Sequence, residues 1–509
     1  MSITRATEVE RKYDVDESAH IPDLSSLGVA QTVQPVTLWS TFYDTADGAL
    51  AEHLMTLRRR TGDGHDGWHL TTPAVYGRTE FHAELADDLP PELADRVRSV
   101  IRDHKLVQVA RVSTRRSVIR LLDKDSAAVA DIADDVVLAI EVAAGTQRAW
   151  REWEVELRDA APVDHDAREA LLDSIEDVLR AAGATPSGSV SKLAHATGRA
   201  SLGHETMAVT KSSTSLEVVV AILTELVAAL VAADPRARDD EPDAVHAMRV
   251  ITRRLRGALA AFRSVLDRAV TDGIRVRLRE LSSVLGEARN AEVRRQLALE
   301  LLDDVALDHG ARRRMEQLRP DVDLRRRLVD DALGEYRVRH EEVVEYLDST
   351  DYLRLLDDLD DLIARPPIMP NAVKDARHEL RDALRRQLRR TRKRLARARE
   401  GDPASIHEAR KAARRLRYVA ESLSEGSGAV FGKKTRSIAA AGHEVQSASG
   451  DHRDAVLYIN RLDETARAAA ESGEDTAGYD TLAEAERRVA RAAFGRFTAV
   501  AKKLRRLPR

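Results

Sequence analysis

The sequence predicts an α+β half carrying an antiparallel sheet or barrel, followed by an all-α half built from a duplicated helical bundle. Three observations predict it. Short β-prone runs alternate with turns over the first 200 residues, the apolar period changes to 3.6 from Leu216 onward, and one charged helical motif occurs twice in the second half.

The first candidate strand is Thr7-Glu8-Val9-Glu10-Arg11-Lys12-Tyr13. Strand alternation would put Glu8, Glu10 and Lys12 on one face. Further β-prone runs lie at 36–43, 55–60, 68–72, 79–85, 114–122, 127–133, 136–143 and 152–157, with helical patterns at 91–102 and 167–182. The polar stretch 188–215, rich in Ser and Thr, is expected to leave the first half and form the linker. Segment 216–233 is the most apolar of the chain, but it contains Glu217 and Glu225 and is expected to be a core helix rather than a membrane span. Beyond it the segments are rich in Ala, Leu, Arg and Glu. With aromatics at 4% of the chain, their contacts must rest on Ala, Leu and Val, which allow close helix approach.

The repeat consists of His246, Arg249, Arg253 and Arg256, matched by His407, Arg410, Arg414 and Arg417 at the same spacing. An echo follows each copy: Gly286-Glu287-Ala288-Arg289-Asn290 and Gly450-Asp451-His452-Arg453-Asp454. The spacing i, i+3, i+7, i+10 is one stripe of a helix, so each copy offers a cationic edge. A solvated charged face is the ordinary reading of an Arg-rich helix, but the shared His and the duplication argue against it. Guanidinium groups at helical pitch suit an extended polyanion, because they bind phosphate oxygens bidentately. The scarcity of stacking aromatics favours inorganic polyphosphate over nucleic acid. Arg294, Arg295, Arg312 to Arg314, Arg325 to Arg327, Lys374 and the arginines between 385 and 399 extend the positive field.

Charge divides the chain at the same place as periodicity. Residues 1–200 hold 23 basic and 34 acidic side chains and the remainder 58 and 51, a net of −11 followed by +7. Two domains with different partners are expected. No cysteine is present, which excludes disulfides, thiolate nucleophiles and Cys-bound zinc, so any metal must be held by oxygen or imidazole. Arg5, Glu8 and Glu10 stand where a signal peptide requires apolar residues, and a cytoplasmic location without a membrane partner is expected.

In the first half, acidic and basic sets alternate on several strands. Arg58 and Arg60 share a face, Arg116 and Arg120 another, and Glu152, Glu154 and Glu156 oppose Trp153 and Val155. One alternating Glu run is usually the wet face of a sheet, but opposed sets on several strands are not explained that way. Inside a closed barrel the carboxylates would hold Mg2+ or Mn2+, while Lys and Arg neutralised a triphosphate.

These residues resemble the CYTH domain of the triphosphate tunnel metalloenzymes over about residues 1–200. The resemblance rests on Glu8-x-Glu10-x-Lys12, Thr41-Phe42-Tyr43-Asp44-Thr45, Leu57-Arg58-Arg59-Arg60, Arg78-Thr79-Glu80, Arg115-Arg116, Glu154-Val155-Glu156 and Ser191-Lys192. It implies a closed antiparallel barrel forming a tunnel. It implies Glu8, Glu10, Glu154 and Glu156 as metal ligands assisted by Asp135, and Lys12, Arg58, Arg60, Arg116 and Lys192 as triphosphate ligands. Lys12, Glu154 and Glu156 would carry the catalysis. One departure stands out: Thr71 occupies a position where the family commonly has Lys. The His/Arg repeat resembles the CHAD domain over about residues 214–509, which implies paired helical bundles with a polyphosphate-binding surface; residues 201–213 would link the two. Asn290, where the family usually has Asp, departs from that pattern.

The expected function is therefore divalent-metal-dependent hydrolysis of inorganic triphosphate or related triphosphates in the barrel, with polyphosphate bound by the helical half. The alternative is a binding or sensing protein whose tunnel has lost turnover. A cyclase acting on the α-phosphate of its substrate lacks any identifiable adenine pocket. His53, His65, His104 and His309 are expected at the surface, and Trp39 and Trp68 in barrel packing.

Overall fold

A computed structural model describes residues 3–74, 76–198, 209–210, 212–302, 322–398 and 401–507. His309, Arg312 to Arg314, Arg399 and most of the expected linker lie outside the described residues. The chain divides into two compact units, Met1–Glu205 and Thr206–Arg509.

The first unit is one antiparallel sheet of ten strands. Their ranges are β1 Thr4–Glu8, β2 Glu10–Asp14, β3 Val29–Asp44, β4 Thr56–Thr61, β5 Gly67–Pro73, β6 Arg78–Glu84, β7 Val107–Leu122, β8 Ala128–Glu141, β9 Gln147–Leu157 and β10 Thr185–Pro186. The lateral order is β1-β6-β5-β4-β3-β7-β8-β9-β2-β10. The expected first strand is thus two strands: Glu8 ends β1 opposite Arg78 of β6, and Glu10 begins β2 opposite Glu156 of β9. This corrects the expectation of a barrel closed by hydrogen bonds. The single residue Val9 leaves no room for a turn, so β1 and β2 cannot pair with each other. The chain instead passes through Val9 from the edge strand β1 to β2, next to the opposite edge, and the sheet must curve to allow it.

A second correction concerns β8. Residues 127–133 and 136–143 were expected to be separate runs broken at Asp134 and Asp135, yet they form one strand. Both carboxylates are matched in mid-strand, Asp134 by Arg151 on β9 and Asp135 by Arg116 on β7. The outward faces of β2, β8 and β9 present Tyr13, Ile132, Trp153 and Val155, which pack with Leu172, Ile175 and Leu179 of a helix at His165–Ala181. Arg11, also outward, binds Glu169, Asp173 and Glu176 on that helix at 2.7–2.8 Å, a stripe the sequence reading did not single out. We number the helices of this unit α1 Ala49–Glu52, α2 Pro91–Ile101, α3 His165–Ala181 and α4 Lys192–Thr197. Helix α4 lies within the stretch read as linker; Ser191 caps it by accepting from the Ala194 backbone N–H. Leu193 and Ala196 of α4 pack with Phe42, Ala110, Val112, Val137 and Ala139 of the sheet.

The described part of the second unit is helical: α5 Ser215–Arg238, α6 Ala244–Ala261, α7 Arg268–Leu302, α8 Val322–Arg325, α9 Asp331–Asp348, α10 Thr350–Ala364, α11 Ala376–Arg397, α12 Pro403–Ser422, α13 Lys433–Glu471 and α14 Ala477–Arg506. A capping box of Thr214 and Glu217 opens α5. By length and composition α5 could cross a membrane, but it packs against α6, α10 and α11, and Arg238 joins its fully buried Asp234 to Asp348. The helices that carry the repeated motif, α6 and α12, pack on each other.

Glu486 of α14 is 3% exposed, and burial together with Glu300 pushes its carboxyl up to about 7. A raised carboxyl favours the folded state least when ionised. The cost is absent at pH 4, grows between about 4.5 and 7, and levels near 3 kcal/mol above that. Glu486→Gln should therefore raise the Tm of the helical unit by about 3–8 °C at pH 8 and leave it unchanged at pH 4.5; an equal fall at both contradicts the assignment.

Candidate functional site

The concave face of the sheet encloses a cavity of about 90 Å³. Four of the expected carboxylates line it, Glu8, Glu10, Glu154 and Glu156, and so do all five expected cations, Lys12, Arg58, Arg60, Arg116 and Lys192. The register explains the meeting: Lys12 lies opposite Glu154 and Glu10 opposite Glu156 on adjacent strands, while Arg58 and Arg60 alternate along β4.

Glu154 is the hub. Lys12 and Arg116 both bind it directly, and Lys192 donates to it at 2.7 Å. Burial alone would push its carboxyl up, but Lys12, Lys192 and Arg116 hold it well below the usual carboxylate range. Asp135 does not line the cavity. It is fully buried, receives both arms of Arg116 at 2.8 and 2.6 Å, and lies 2.8 Å from Lys192 Nζ. Asp135, Glu152 and Glu154 bring carboxylate oxygens close enough to hold a metal ion, and Lys192 Nζ stands 2.6–2.8 Å from one oxygen of each. That position thus carries a tethered cation. Glu152 also accepts from Trp150 Nε1 at 2.5 Å.

The opposite carboxylates are less well matched. Burial and Glu80 push Glu8 up to about 8 against the pull of Arg58, and burial raises Glu156 despite Arg158 and Arg116. Glu10, held by Lys12 at 2.9 Å, lines the cavity with Glu8 and Glu156, while the carboxylate oxygens close enough to one another to hold a divalent ion are, among the described residues, those of Asp135, Glu152 and Glu154. Arg60, paired with Asp63 at 3.2 Å, is nonetheless pushed down to about 10 by burial and Arg58.

Several residues escaped the sequence reading as parts of the site. Arg78 lines the cavity 3.6 Å from Glu10 Oε1, and Glu80 holds Arg58 at 2.9 Å. The alternation of Arg78 and Glu80 along β6 was the available signal. Arg120, expected beside Arg116, is instead engaged with Asp131 at 2.7 and 2.8 Å and does not line the cavity. Thr71 does line it. His69 shares its strand face but is 1% exposed, bound to Glu80 at 3.1 Å and to the His65 carbonyl at 3.1 Å, and it does not replace a missing lysine.

The helical unit holds a larger cavity, about 890 Å³, between α6, α7, α12 and α13. His246, Arg249, Arg253 and Arg256 line it from the first repeat and His407, Arg410 and Arg414 from the second. Arg417 does not; its guanidinium pairs with Glu421 on its own helix at 2.5 Å. Arg294 of the expected extended field is also in the lining. The glycine of each echo explains the duplication: a Cβ at Gly286 would lie 3.4 Å from Arg249 Nη2, and one at Gly450 3.1 Å from Arg410 Nη2. Each glycine lets the first arginine of its stripe lie against the next helix. Burial and mutual repulsion push Arg249, Arg253 and Arg414 down to about 10. Among the described residues none of these three has a carboxylate ion-pair partner.

Lys192→Met should leave three buried carboxylates without their shared cation, lowering the stability of the first unit by about 3–5 kcal/mol. Mg2+ should raise the Tm of this variant more than that of the wild type. Thermal unfolding with and without Mg2+ checks both, and an unchanged Tm contradicts the geometry.

Comparison with known proteins follows the same division. Residues 6–194 match the CYTH domain model and residues 221–463 the CHAD domain model. Uncharacterized protein Rv2226 of Mycobacterium tuberculosis (strain ATCC 25618 / H37Rv) is 34% identical, over 95% of this chain and 93% of its own length. Among solved structures, PptA from Streptomyces chartreusis is 19% identical, with a TM-score of 0.44 over 57% of this chain and all of its own. The CHAD domain from the plant Ricinus communis is 22% identical, with a TM-score of 0.41 over 60% of this chain and 96% of its own. The chain belongs to the CYTH–CHAD proteins, in which a domain of the divalent-metal-dependent triphosphate tunnel family precedes a CHAD domain.

Proposed function

We propose that the sheet cavity hydrolyses a phosphoanhydride bond of inorganic triphosphate or a related triphosphate, and that the helical cavity binds inorganic polyphosphate. The observation that carries the first part is one cavity lined by Glu8, Glu10, Glu154 and Glu156 together with Lys12, Arg58, Arg60, Arg116 and Lys192. The second part rests on the unpaired arginines of the repeated helices.

Arg58, Arg60, Lys12 and Arg116 would bind the phosphoryl oxygens. Incoming phosphates compete with Glu154 for Lys12 and Arg116, so substrate binding would release that carboxylate from its clamp. Glu8, Glu10 and Glu156, with Glu154 once released, would hold a divalent cation, Mg2+ or Mn2+, which would supply Lewis acidity toward the phosphoryl oxygens. Glu156, whose carboxyl burial raises, would take the proton of the attacking water. The water oxygen bonds to the terminal phosphorus, the anhydride P–O bond breaks, and Lys12 and Arg116 neutralise the leaving oxygen. The second reading, binding without turnover, is favoured by Thr71, which gives a hydroxyl where a charge would hold phosphate.

Phosphate release from tripolyphosphate, ATP and thiamine triphosphate, with and without Mg2+, tests the proposal. Activity should exceed that of Glu10→Ala, and Thr71→Lys should raise kcat/KM about 10-fold or more. No release above the Glu10→Ala control removes hydrolysis in favour of binding.

A further inference from the structure

The two repeats that build the helical cavity are not electrically equivalent. Counting four residues from the glycine of each echo, the first repeat presents Asn290 and the second Asp454, and both side chains line the cavity. The packing of Gly286 on Arg249 and of Gly450 on Arg410 fixes this correspondence in space as well as in sequence. Asp454 acts on Arg410 through space, opposing the repulsion from Arg453. Arg249, the counterpart of Arg410, is pushed down by burial and by repulsion from Arg414, Arg453, Arg410 and Arg289, of which Arg289 is itself paired with Glu292 at 2.8 Å and Asp243 at 3.3 Å. The other lining carboxylates lie elsewhere on the wall: Glu335 is paired with Arg294 at 2.5 Å, and Glu464 is on the turn of Arg461.

We propose that Asn290 and Asp454 set the affinity of the cavity for its polyanion: Asn290 leaves Arg249 without a facing carboxylate and makes it the main phosphate contact, while Asp454 is a built-in competitor that weakens the second repeat. This rests on the polyphosphate reading of the same cavity. A fixed carboxylate beside Arg410 repels a phosphate chain and lowers the charge available to it, whereas an amide of the same shape does neither. The asymmetry makes the cavity a graded site, with Arg249 and Arg253 engaged before Arg410.

The test is binding of inorganic polyphosphate of defined length to the full chain at 50 and 200 mM salt, using wild type, Asn290→Asp, Asp454→Asn and the double exchange. Melting curves confirm that these near-isosteric changes leave the fold intact. Asn290→Asp should weaken binding about 3–10-fold with a shallower salt dependence, Asp454→Asn should tighten it by a similar factor with a steeper one, and the double exchange should return close to wild type. Wild-type affinity in both single variants, or weaker binding by Asp454→Asn at unchanged Tm, overturns the inference while leaving polyphosphate binding standing. A wild-type chain that binds no polyphosphate overturns both.

Discussion

The interaction on which the first unit depends is the grip of Lys12, Arg116 and Lys192 on the buried carboxylate of Glu154. Each cation comes from a different element, β2, β7 and α4, and the acceptor from β9. One carboxylate therefore ties together β2 near one edge of the sheet, a central strand and the short helix α4. A buried ion pair adds little net stability against an apolar pair of the same volume, but removing one member strands the others in low dielectric. The network thus acts mainly as a constraint on where charges stand. It also means that Lys12, Arg116 and Lys192 are already engaged by protein.

The same physics runs the other way in the helical unit. There Arg249, Arg253 and Arg414 are crowded with no carboxylate ion-pair partner among the described residues, and Gly286 and Gly450 make room for the first arginine of each stripe. Charges placed so against their own repulsion are held by the packing of α6 on α12 and gain from an anionic guest. The two cavities illustrate two ways of keeping cations buried, one clamped by Glu154 and one left open.

Much of this was legible in the sequence because alternation and helical stripes are local. Glu154 and Glu156 face opposite to Trp153 and Val155, and the structure places the first pair in the cavity and the second in the core against α3. The break at Val9 was not legible, because Glu8 and Glu10 alternate as one strand would and only their partners, Arg78 and Glu156, reveal two. Asp134 and Asp135 looked like a turn because their neutralisers, Arg151 and Arg116, are distant in sequence. Arg417 stands outside the helical cavity for a related reason: spacing says which face a residue shares, not whether Glu421 will claim it first.

The central claim, that Glu154 competes with phosphate for the cavity cations, is tested most directly by calorimetric titration of tripolyphosphate into wild type and Glu154→Gln with the metal chelated. The amide keeps the shape and drops the charge, so the variant should bind tripolyphosphate about 10-fold more tightly than the wild type. Weaker binding by a folded Glu154→Gln would contradict the account and make Glu154 an organiser of the cations rather than their competitor for phosphate.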